Sequence, residues 1–334
     1  MSNEVVTLGG VTTDPEVPTF ADVLEARRRI APYLRPTPLY EYPGLGELLG
    51  TEVYVKHENH QPVGAFKVRG GVNLVSQLDA QERERGVIAA STGNHGQSIA
   101  YAARLFGVPA TICVPEAANP VKVASMRGLG AELVFHGRDF DDAREHCERL
   151  ASERGYRYVH SGDEPLLIAG VATETLEILE EQPGTDVVVV PIGGGSGAAG
   201  ACIVVRAVKP TARVIGVQSE AAPAAYRSWR EQRLVEDRMQ TFAEGLATRS
   251  AFELPQRILR QWLDDFVLVS DDEIRAAQAL MIETTRNLVE AAGAAPLAAA
   301  LRMREQLAGK RVALIASGGN ASREQLLAVL SDYA

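Results

Sequence analysis

The chain has 334 residues, with 34 Lys and Arg against 43 Asp and Glu, which gives a formal net charge of −9 at pH 7. This acidic balance argues against nucleic acid or an anionic membrane as the main partner, because phosphate groups need a basic surface. Hydrophobic residues make up 46% of the chain and charged residues 23%, so it can bury a sizeable core. At about 150 residues per domain, the length favours two domains.

The three cysteines, Cys113, Cys147 and Cys202, lie far apart and form no C-x-x-C pair. Neither a disulfide framework nor a cysteine-based zinc site is therefore predicted, and a cytoplasmic protein is the simplest interpretation. The N-terminus lacks a basic stretch followed by an apolar one, so no export signal is predicted. The longest apolar runs are too short to span a bilayer.

Apolar, strand-like segments alternate with helical patterns along most of the chain. Residues 1–18 show no periodicity and are predicted to form a tail, and a helix is predicted to start at Thr19 with a capping box to Asp22. The predicted strands are 86–91, 110–115, 132–137, 186–192, 213–219, 266–270 and 311–317. Strands that are apolar on both faces and alternate with helices indicate an α/β fold with parallel sheets covered on both sides.

No Pro-, Gly- or Ser-rich linker marks a boundary between the two expected domains. Interleaved domains are therefore predicted, with a small domain over 86–162 and a large domain formed by 19–85 and 163–334. The chain ends soon after its last helical pattern, so no C-terminal regulatory domain is expected.

The segment VVVVPIGGGSGAAG, residues 187–200, is a predicted strand followed by a glycine-rich turn and a helix. Glycines let backbone N–H groups approach an anion, and a helix N-terminus favours negative charge, so the segment predicts a phosphate site. Gly195, Gly197 and Gly200 also spell G-x-G-x-x-G, with Glu220 following 20 residues later. Alone, this pattern would indicate a nicotinamide-dependent enzyme, which is the rival interpretation.

Lys67 lies in the turn GAFKVRGG, residues 64–71, just ahead of a helical pattern. Most lysines are solvated at the surface. Here Phe66 and Val68 flank the lysine in a glycine-lined apolar segment, where loss of water lowers the pKa of an amine. Such an amine can form a Schiff base with a carbonyl group and can act as a base.

Two further polar loops follow predicted strands. In STGNHGQ, residues 91–97, Ser91, Thr92 and Asn94 stand beside the free N–H groups of a helix start, which suits a carboxylate, although a cluster of N-cap residues is the simpler alternative. Ser317 in SGGN, residues 317–320, is interpreted as opening a last helix. Ligands of open α/β sheets bind at the C-terminal ends of strands, so these loops are expected to converge on one site.

Taken together, these segments resemble the fold-type II pyridoxal phosphate (PLP) enzymes, specifically the threonine/serine dehydratase and serine racemase branch. The resemblance covers about Pro36 to the C-terminus. It rests on Glu58, GAFKVRG, STGNHGQ, PIGGGSGAAG, AEGLA, EAAGAAPLAAA and SGGN, which occur in family order at family-like spacing. This joint match outweighs the single dinucleotide pattern. It implies a fold like that of the tryptophan synthase β subunit, with two interleaved parallel-sheet α/β domains.

The resemblance also implies roles for individual residues. Lys67 would bind PLP covalently and act as the base at the substrate Cα, and Phe66 would pack against the cofactor ring. Asn94 would hydrogen-bond to the ring hydroxyl oxygen, and Ser317 to the pyridine nitrogen. The cofactor phosphate would be cradled by Gly193, Gly194, Gly195, Ser196 and Gly197. The substrate carboxylate would be held by Ser91, Thr92 and His95.

The reaction implied is β-elimination from a β-hydroxy-L-amino acid, which yields a 2-oxo acid and ammonia. A serine at the ring nitrogen, rather than a carboxylate, favours elimination over transamination. Threonine, serine, hydroxyaspartate and phenylserine all remain open as substrates. A racemase-like or β-replacement enzyme is the alternative, and a PLP-binding sensor without turnover is less favoured. A homodimer that binds a small-molecule amino acid, with no nucleic acid or membrane partner, is expected.

Four positions depart from the family pattern. Ala65 stands two residues before the lysine, where the family usually has Ser, and Ser196 replaces the usual fourth glycine of the phosphate loop. Thr92 stands where the racemases have a serine acid, which predicts elimination without racemisation. Gln218 stands where members with a divalent-cation site have Glu, and an amide is a poor ligand for a hard cation, so no metal site is predicted.

Overall fold

The computed structural model describes residues 16–331, so residues 1–15 of the predicted tail lie outside the described part. Strands and helices alternate along most of this range. The strands are β1 (Leu39–Glu41), β2 (Glu52–His57), β3 (Val87–Ala90), β4 (Ala110–Val114), β5 (Glu132–Phe135), β6 (Arg157–Tyr158), β7 (Val187–Pro191), β8 (Arg213–Ser219), β9 (Asp265–Val269) and β10 (Arg311–Ala316).

The helices agree with most of the predicted helical patterns. They are α1 (Phe20–Ile30), α2 (Pro43–Leu49), α3 (Val68–Val75), α4 (Ala80–Arg85), α5 (Asn94–Phe106), α6 (Pro120–Gly128), α7 (Phe140–Arg154), α8 (Pro165–Glu181), α9 (Ser196–Val208), α10 (Ala224–Arg230), α11 (Glu253–Trp262), α12 (Asp271–Thr285), α13 (Ala291–Arg302), α14 (Arg304–Leu307) and α15 (Arg323–Ser331). Short 3-10 turns lie at Glu58–His60 and Glu244–Leu246.

The larger sheet has six strands in the order β1-β2-β10-β7-β8-β9, all parallel except β1. Successive side chains of a strand point to opposite faces, and β7 follows this rule with valines on both. Val188 and Val190 pack in the core beneath α8, α9 and α11, whereas Val187 and Val189 pack in the core beneath α12 and α13. A run of valines is therefore a strand buried on both faces, as the sequence predicts.

The smaller sheet has four parallel strands in the order β5-β4-β3-β6. On one face, Val87 and Ala89 pack with residues of α3, α5 and α6, and on the other Ile88 and Ala90 pack against α7. The prediction of an α/β fold with covered parallel sheets is confirmed. The sheet lies inside the interval 86–162, and the division of the chain into domains at these residues stays a prediction.

Two local predictions at helix starts have different outcomes. Thr19 and Asp22 form the predicted capping box of α1. The interpretation of Ser317 as the residue that opens the last helix is wrong, because α15 begins only at Arg323 and Ser322 caps it by accepting from the Gln325 N–H. Ser317 and Ser322 are both serines that could cap a helix N-terminus, so the sequence alone does not distinguish them. The intervening residues instead form a loop, whose Gly318 pairs with Ala65.

Among residues 16–331, no helix is both long and apolar enough to cross a membrane.

A buried ionic cluster connects the end of β2 to α3 and α8. The Arg69 guanidinium binds both carboxylate oxygens of Glu58, at 2.7 and 2.8 Å, and both of Glu177, at 2.6 and 2.7 Å. Lys56 Nζ donates to the same Glu177 at 2.6 Å. Burial alone would raise the pKa of Glu58, but the adjacent Arg69 holds it below its usual value. Glu58, which the sequence singles out only by resemblance, is therefore an anchor of α3.

We predict that Glu58→Gln lowers the free energy of unfolding by about 3 kcal/mol, because the buried Arg69 and Lys56 charges are then balanced by the single carboxylate of Glu177. Glu52→Gln, which breaks the half-exposed pair with Arg311, is the matched control and should cost much less than Glu58→Gln, because solvent screens that pair. The folded-state pKa of Glu58 is lowered, so its stabilisation is present above the unfolded pKa of about 4.3 and is lost as the pH falls. Denaturant titrations at pH 7 and pH 4 measure both effects, and equal costs for the two variants at pH 7 would contradict the assignment.

Candidate active site

A cavity of about 130 Å³ lies where loops from the two sheets meet. The loops follow the C-terminal ends of β3, β7 and β10, as expected for a ligand site in α/β sheets. All the residues that the sequence assigns to the site border this cavity. They are Phe66, Lys67, Ser91, Thr92, Asn94, His95, Gly193, Gly194, Gly195, Ser196, Gly197 and Ser317.

Lys67 is the residue immediately before α3, and its amine points at the glycine-rich loop. Its Nζ donates to Ser196 Oγ at 2.7 Å and to the Ser161 carbonyl oxygen at 3.1 Å. The side chain keeps some accessible surface because it borders the cavity, but protein encloses it on the other sides. Burial lowers the pKa of Lys67 to about 8, although the Glu174 carboxyl acts in the opposite direction. Near pH 8, half of the molecules therefore carry a neutral, nucleophilic amine.

The glycine-rich loop has no space for side chains. A Cβ on Gly193 would collide with the Gly245 carbonyl oxygen, and one on Gly194 would collide with the Phe252 ring. Gly195 adopts a φ of +89°, which disfavours any residue with a side chain. Helix α9 begins at Ser196, directly after this turn, so its first N–H groups face the loop without intrahelical acceptors. These are the features of a phosphate cradle.

The loop 91–97 opens α5 on the opposite side of the cavity. Ser91 Oγ accepts from the Gly93 N–H at 3.0 Å and from the Gly96 N–H at 2.8 Å, so it organises the loop while its own O–H remains a donor. Burial lowers the pKa of His95 to about 3, so the ring is neutral. Its Nε2 lies 3.2 Å from the Val159 carbonyl oxygen and must carry the hydrogen, which leaves Nδ1 as an acceptor.

Loops that are distant in sequence are joined around Asn94. The Asn94 amide donates to Glu290 Oε1 at 2.6 Å, and its oxygen accepts from Asn320 at 2.9 Å. The Phe66 N–H donates to the Ser317 carbonyl oxygen at 3.0 Å, which joins the lysine loop to the loop after β10. Burial raises the pKa of Glu290 and disfavours its charged form.

Lys122, Glu244 and Glu290 border the cavity but have no role in the sequence-based prediction. Lys122 of α6 is buried, forms an ion pair with Glu244 and packs against Gly93 of the loop that opens α5. Glu244 and Glu290 belong to two segments that carry the resemblance, AEGLA and EAAGAAPLAAA, which was the available signal. Lys122 gives no such signal, because a lysine in the first turn of a helix is usually solvated.

A larger cavity of about 490 Å³ adjoins the first one. Thr92, Phe140, Glu244 and Ala247 border both cavities. The larger one extends toward α6 and the start of α7.

The residues considered for other ligands lie elsewhere. Glu220, the acidic residue of the dinucleotide pattern, is half-exposed and pairs with Arg302 at 3.1 Å. Gln218 Oε1 accepts from the Tyr226 N–H at 3.0 Å. Within residues 16–331, no group of three or more His, Cys, Asp or Glu side chains is placed to hold a metal ion. Metal independence stays a prediction.

Comparison with known proteins decides between the phosphate ligands that the glycine-rich loop could bind. Residues 30–318 match the family model described as "Pyridoxal-phosphate dependent enzyme". The chain belongs to this family. Its cofactor is PLP, and the prediction of a fold-type II PLP enzyme is confirmed.

Curated relatives and solved structures place the chain within the predicted branch. It is 39% identical over 304 residues to an L-threonine ammonia-lyase of Thermotoga maritima. The aligned region covers 90% of this chain and 75% of the relative. It is 38% identical over 316 residues to an L-threo-3-hydroxyaspartate ammonia-lyase of Saccharomyces cerevisiae. Here the aligned region covers 94% of this chain and 97% of the relative. The structure of serine racemase from Dictyostelium discoideum matches with a TM-score of 0.86 at 32% identity, over 91% of this chain and 99% of that one.

The cavity fits this cofactor on its own evidence. The glycine-rich loop closes on Gly245 and Phe252 so tightly that Gly193 and Gly194 have no space for a side chain, so their backbone can approach a phosphate. An enclosed amine with a lowered pKa lies one hydrogen bond away, at Ser196, as covalent attachment of an aldehyde requires.

We predict that the cofactor-free protein incorporates PLP faster as the pH rises, with a midpoint near pH 8. Only the neutral Lys67 amine attacks an aldehyde, and the ammonium predominates below its pKa of about 8. The rate of appearance of the bound chromophore, measured from pH 6 to pH 10, gives the midpoint. A midpoint near that of a solvated lysine, about pH 10.4, would show that Lys67 is not desolvated.

Proposed function

We propose that the protein is an ammonia-lyase that converts a β-hydroxy-L-amino acid, such as threonine, serine or 3-hydroxyaspartate, to a 2-oxo acid and ammonia. One observation carries the proposal. The Lys67 amine, the phosphate loop and the carboxylate-type loop that opens α5 border a single cavity. The names of the relatives agree, since two of them are ammonia-lyases that act on β-hydroxy amino acids.

Bound PLP supplies an electron sink for the substrate Cα. The residues of the chain then divide the remaining work. Lys67 attaches the cofactor and later receives the Cα proton at its Nζ, which its lowered pKa permits near neutral pH. Ser196, within 2.7 Å of that nitrogen, positions the amine and offers its hydroxyl to the phosphate. Gly193, Gly194, Gly195 and Gly197 supply the backbone of the phosphate cradle.

The substrate carboxylate would bind at the start of α5. Ser91 offers its O–H, and the first backbone N–H groups of the helix, those of Asn94 and His95, lack intrahelical acceptors. The neutral His95 ring presents only the Nδ1 lone pair, so it cannot donate to a carboxylate. We therefore refine the expected role of His95, which contributes its backbone rather than its ring.

The cofactor ring would lie between the two joined loops. Asn94, already held by Glu290 and Asn320, would donate to the ring hydroxyl oxygen, and Phe66 would pack against the ring. The buried Ser317 hydroxyl would meet the pyridine nitrogen. A neutral hydroxyl stabilises a charged ring less than a carboxylate does, which favours elimination.

The alternative is racemisation, which the match to a serine racemase structure keeps open. It requires an acid on the face of the substrate opposite Lys67. Thr92, which matches the racemase serine in sequence position, borders the cavity, and its hydroxyl carbon bears a methyl group that a serine lacks. We propose elimination as the main reaction on this basis.

We also propose a cytoplasmic homodimer, with a small domain over 86–162. Three buried, unpaired cysteines are consistent with a reducing compartment. The exposed Tyr40 and the buried His57 have ring centroids 5.8 Å apart, and His57 stacks on the exposed His60. His60 in turn bonds to Asn287 beside the exposed Leu288, which forms a surface suited to a second copy.

We predict that the purified protein releases ammonia from at least one of L-threonine, L-serine, 3-hydroxyaspartate and phenylserine. Lys67→Ala should fold but lose at least 10³-fold in turnover, because general base catalysis alone is worth roughly 10²–10⁴-fold and covalent attachment is lost as well. Lys209→Ala, at a lysine that bonds to the Pro183 carbonyl oxygen away from the cavity, is the control. Comparing the rates of ammonia release from these four amino acids identifies the class of substrate.

A Lys67→Ala variant that kept a tenth of the activity would contradict the assignment of the base. Absence of ammonia from every substrate, with PLP bound, would favour a sensor or a β-replacement enzyme.

We predict elimination without appreciable racemisation, and activity that survives EDTA. The Thr92 methyl group hinders protonation from the opposite face, and the Gln218 amide has no charge for a hard cation. Enantiomer analysis of the residual amino acid, alongside 2-oxo acid formation with and without EDTA and magnesium, measures both. D-enantiomer formed as fast as oxo acid would make racemisation the better assignment, and a Thr92→Ser variant should move the ratio toward it.

A further inference from the structure

Lys122 and Glu244 form an ion pair on the wall of the cavity. Lys122 of α6 is buried and donates to Glu244 Oε2, and Gln325 of α15 donates to Glu244 Oε1 at 3.1 Å. Both oxygens of the carboxylate are therefore held by the protein. The pair lies beside the loop proposed to bind the substrate carboxylate, because Lys122 Nζ is 3.2 Å from the point where a Cβ would stand on Gly93.

Glu244 also lies at the junction of the two cavities. It borders both of them, together with Thr92, Phe140 and Ala247. With the substrate carboxylate at the start of α5 and the Cα at Lys67, we expect a group on the substrate Cβ to find further space at this junction. The charges there then decide which groups on Cβ are accepted.

The cations near the junction are already engaged. Among the described residues that border the two cavities, the Lys and Arg side chains are Lys67, Lys122 and Arg138. Lys67 is assigned to the cofactor, and Lys122 is paired with Glu244. Arg138 is 91% exposed and lies 3.5 Å from Asp142, so solvent screens its charge. A carboxylate on the substrate Cβ would therefore meet the negative charge of Glu244.

The larger cavity suits an uncharged group. Apolar residues on its wall include Pro115, Ala118, Val121, Phe140 and Met239. In the part of the chain that the structure describes, its charged residues are Arg138, Asp139, Glu244 and Glu324. These residues carry no excess of positive charge that would attract a carboxylate.

We propose that Glu244 determines specificity against substrates that carry a second carboxylate. By holding Lys122, it keeps a buried cation from pairing with a charged group on the substrate Cβ, and its own charge repels such a group. The substrates are then β-hydroxy-L-amino acids without a charge on Cβ, such as threonine, serine and phenylserine, and 3-hydroxyaspartate is disfavoured. The inference rests on the proposed ammonia-lyase function and narrows its substrates.

The test compares kcat/KM for 3-hydroxyaspartate with kcat/KM for threonine, using the full-length protein loaded with PLP. The wild-type protein should favour threonine. Glu244→Gln keeps the size of the side chain and removes its charge, which frees Lys122 to bind a second carboxylate. We expect the ratio of the two values to rise about tenfold in favour of 3-hydroxyaspartate, because close charge pairs contribute at least this much to binding. A general defect in folding or in cofactor binding lowers both values and leaves the ratio unchanged.

Two further variants separate the role of the ion pair from a general loss of negative charge. Glu324→Gln removes an exposed carboxylate that borders the larger cavity but not the smaller one, and it should keep the wild-type ratio. Adding Lys122→Met to Glu244→Gln removes the freed cation, so the ratio should fall back to the wild-type value. An unchanged or lowered ratio in a folded Glu244→Gln variant, or a double variant that keeps the full rise, would overturn the proposal.

A binding measurement separates failure of this inference from failure of the ammonia-lyase assignment. L-Aspartate and L-2-aminobutyrate lack the β-hydroxyl group that is eliminated, and the absorbance of bound PLP reports their binding. Glu244→Gln should lower the Kd of L-aspartate about tenfold relative to that of L-2-aminobutyrate. A wild-type protein that binds L-aspartate more tightly than L-2-aminobutyrate would contradict the inference even if threonine releases ammonia. If no substrate releases ammonia, the ammonia-lyase proposal fails, and the two Kd values still decide the role of Glu244.

Discussion

The position of Lys67 depends on the buried Arg69 guanidinium, two residues further along the chain. Four charge-assisted hydrogen bonds hold Arg69 to Glu58 and Glu177, which fixes the first turn of α3 between β2 and α8. Helices α3 and α8 also approach so closely that a Cβ on Gly170 would lie 2.7 Å from the Gly70 Cα. A shift of α3 would break these bonds inside a dry interior, so the amine is presented from a rigid support.

The site is assembled from loops that are distant in sequence but that all follow the C-terminal ends of parallel strands. Parallel strands bring their C-terminal ends to one edge, so the loops after β3, β7 and β10 face one another across the cavity. Hydrogen bonds then join them, from Phe66 to Ser317 and from Asn94 to Glu290 and Asn320. The two helix N-termini point at the cavity and supply positive potential to a phosphate on one side and to a carboxylate on the other.

The local sequence pattern was sufficient to predict the strands and the site residues in the glycine-rich loops. It could not predict interactions between residues that are distant in sequence. The valines of β7 and the glycines of 193–197 have one structural interpretation each, so both could be predicted. Lys122 has the sequence context of a solvated lysine, and only the approach of Glu244 makes it a buried ion pair. The prediction placed the start of α15 too early, because Ser317 and Ser322 are both possible N-cap residues. In the structure Gly318 pairs with Ala65 of the lysine loop, and the helix is capped by Ser322.

The titratable groups around the cavity explain why its anion site is made of backbone. Lys67 has a lowered pKa, His95 is neutral, and Glu290 and Glu174 have raised pKa values, all chiefly because of burial. Lys122 is matched by Glu244 and offers little net charge. A phosphate that enters such a cavity meets few full positive charges, so its binding must come from N–H groups and the α9 dipole. That requirement demands a turn without side chains, and an additional carboxylate near it would be repulsive.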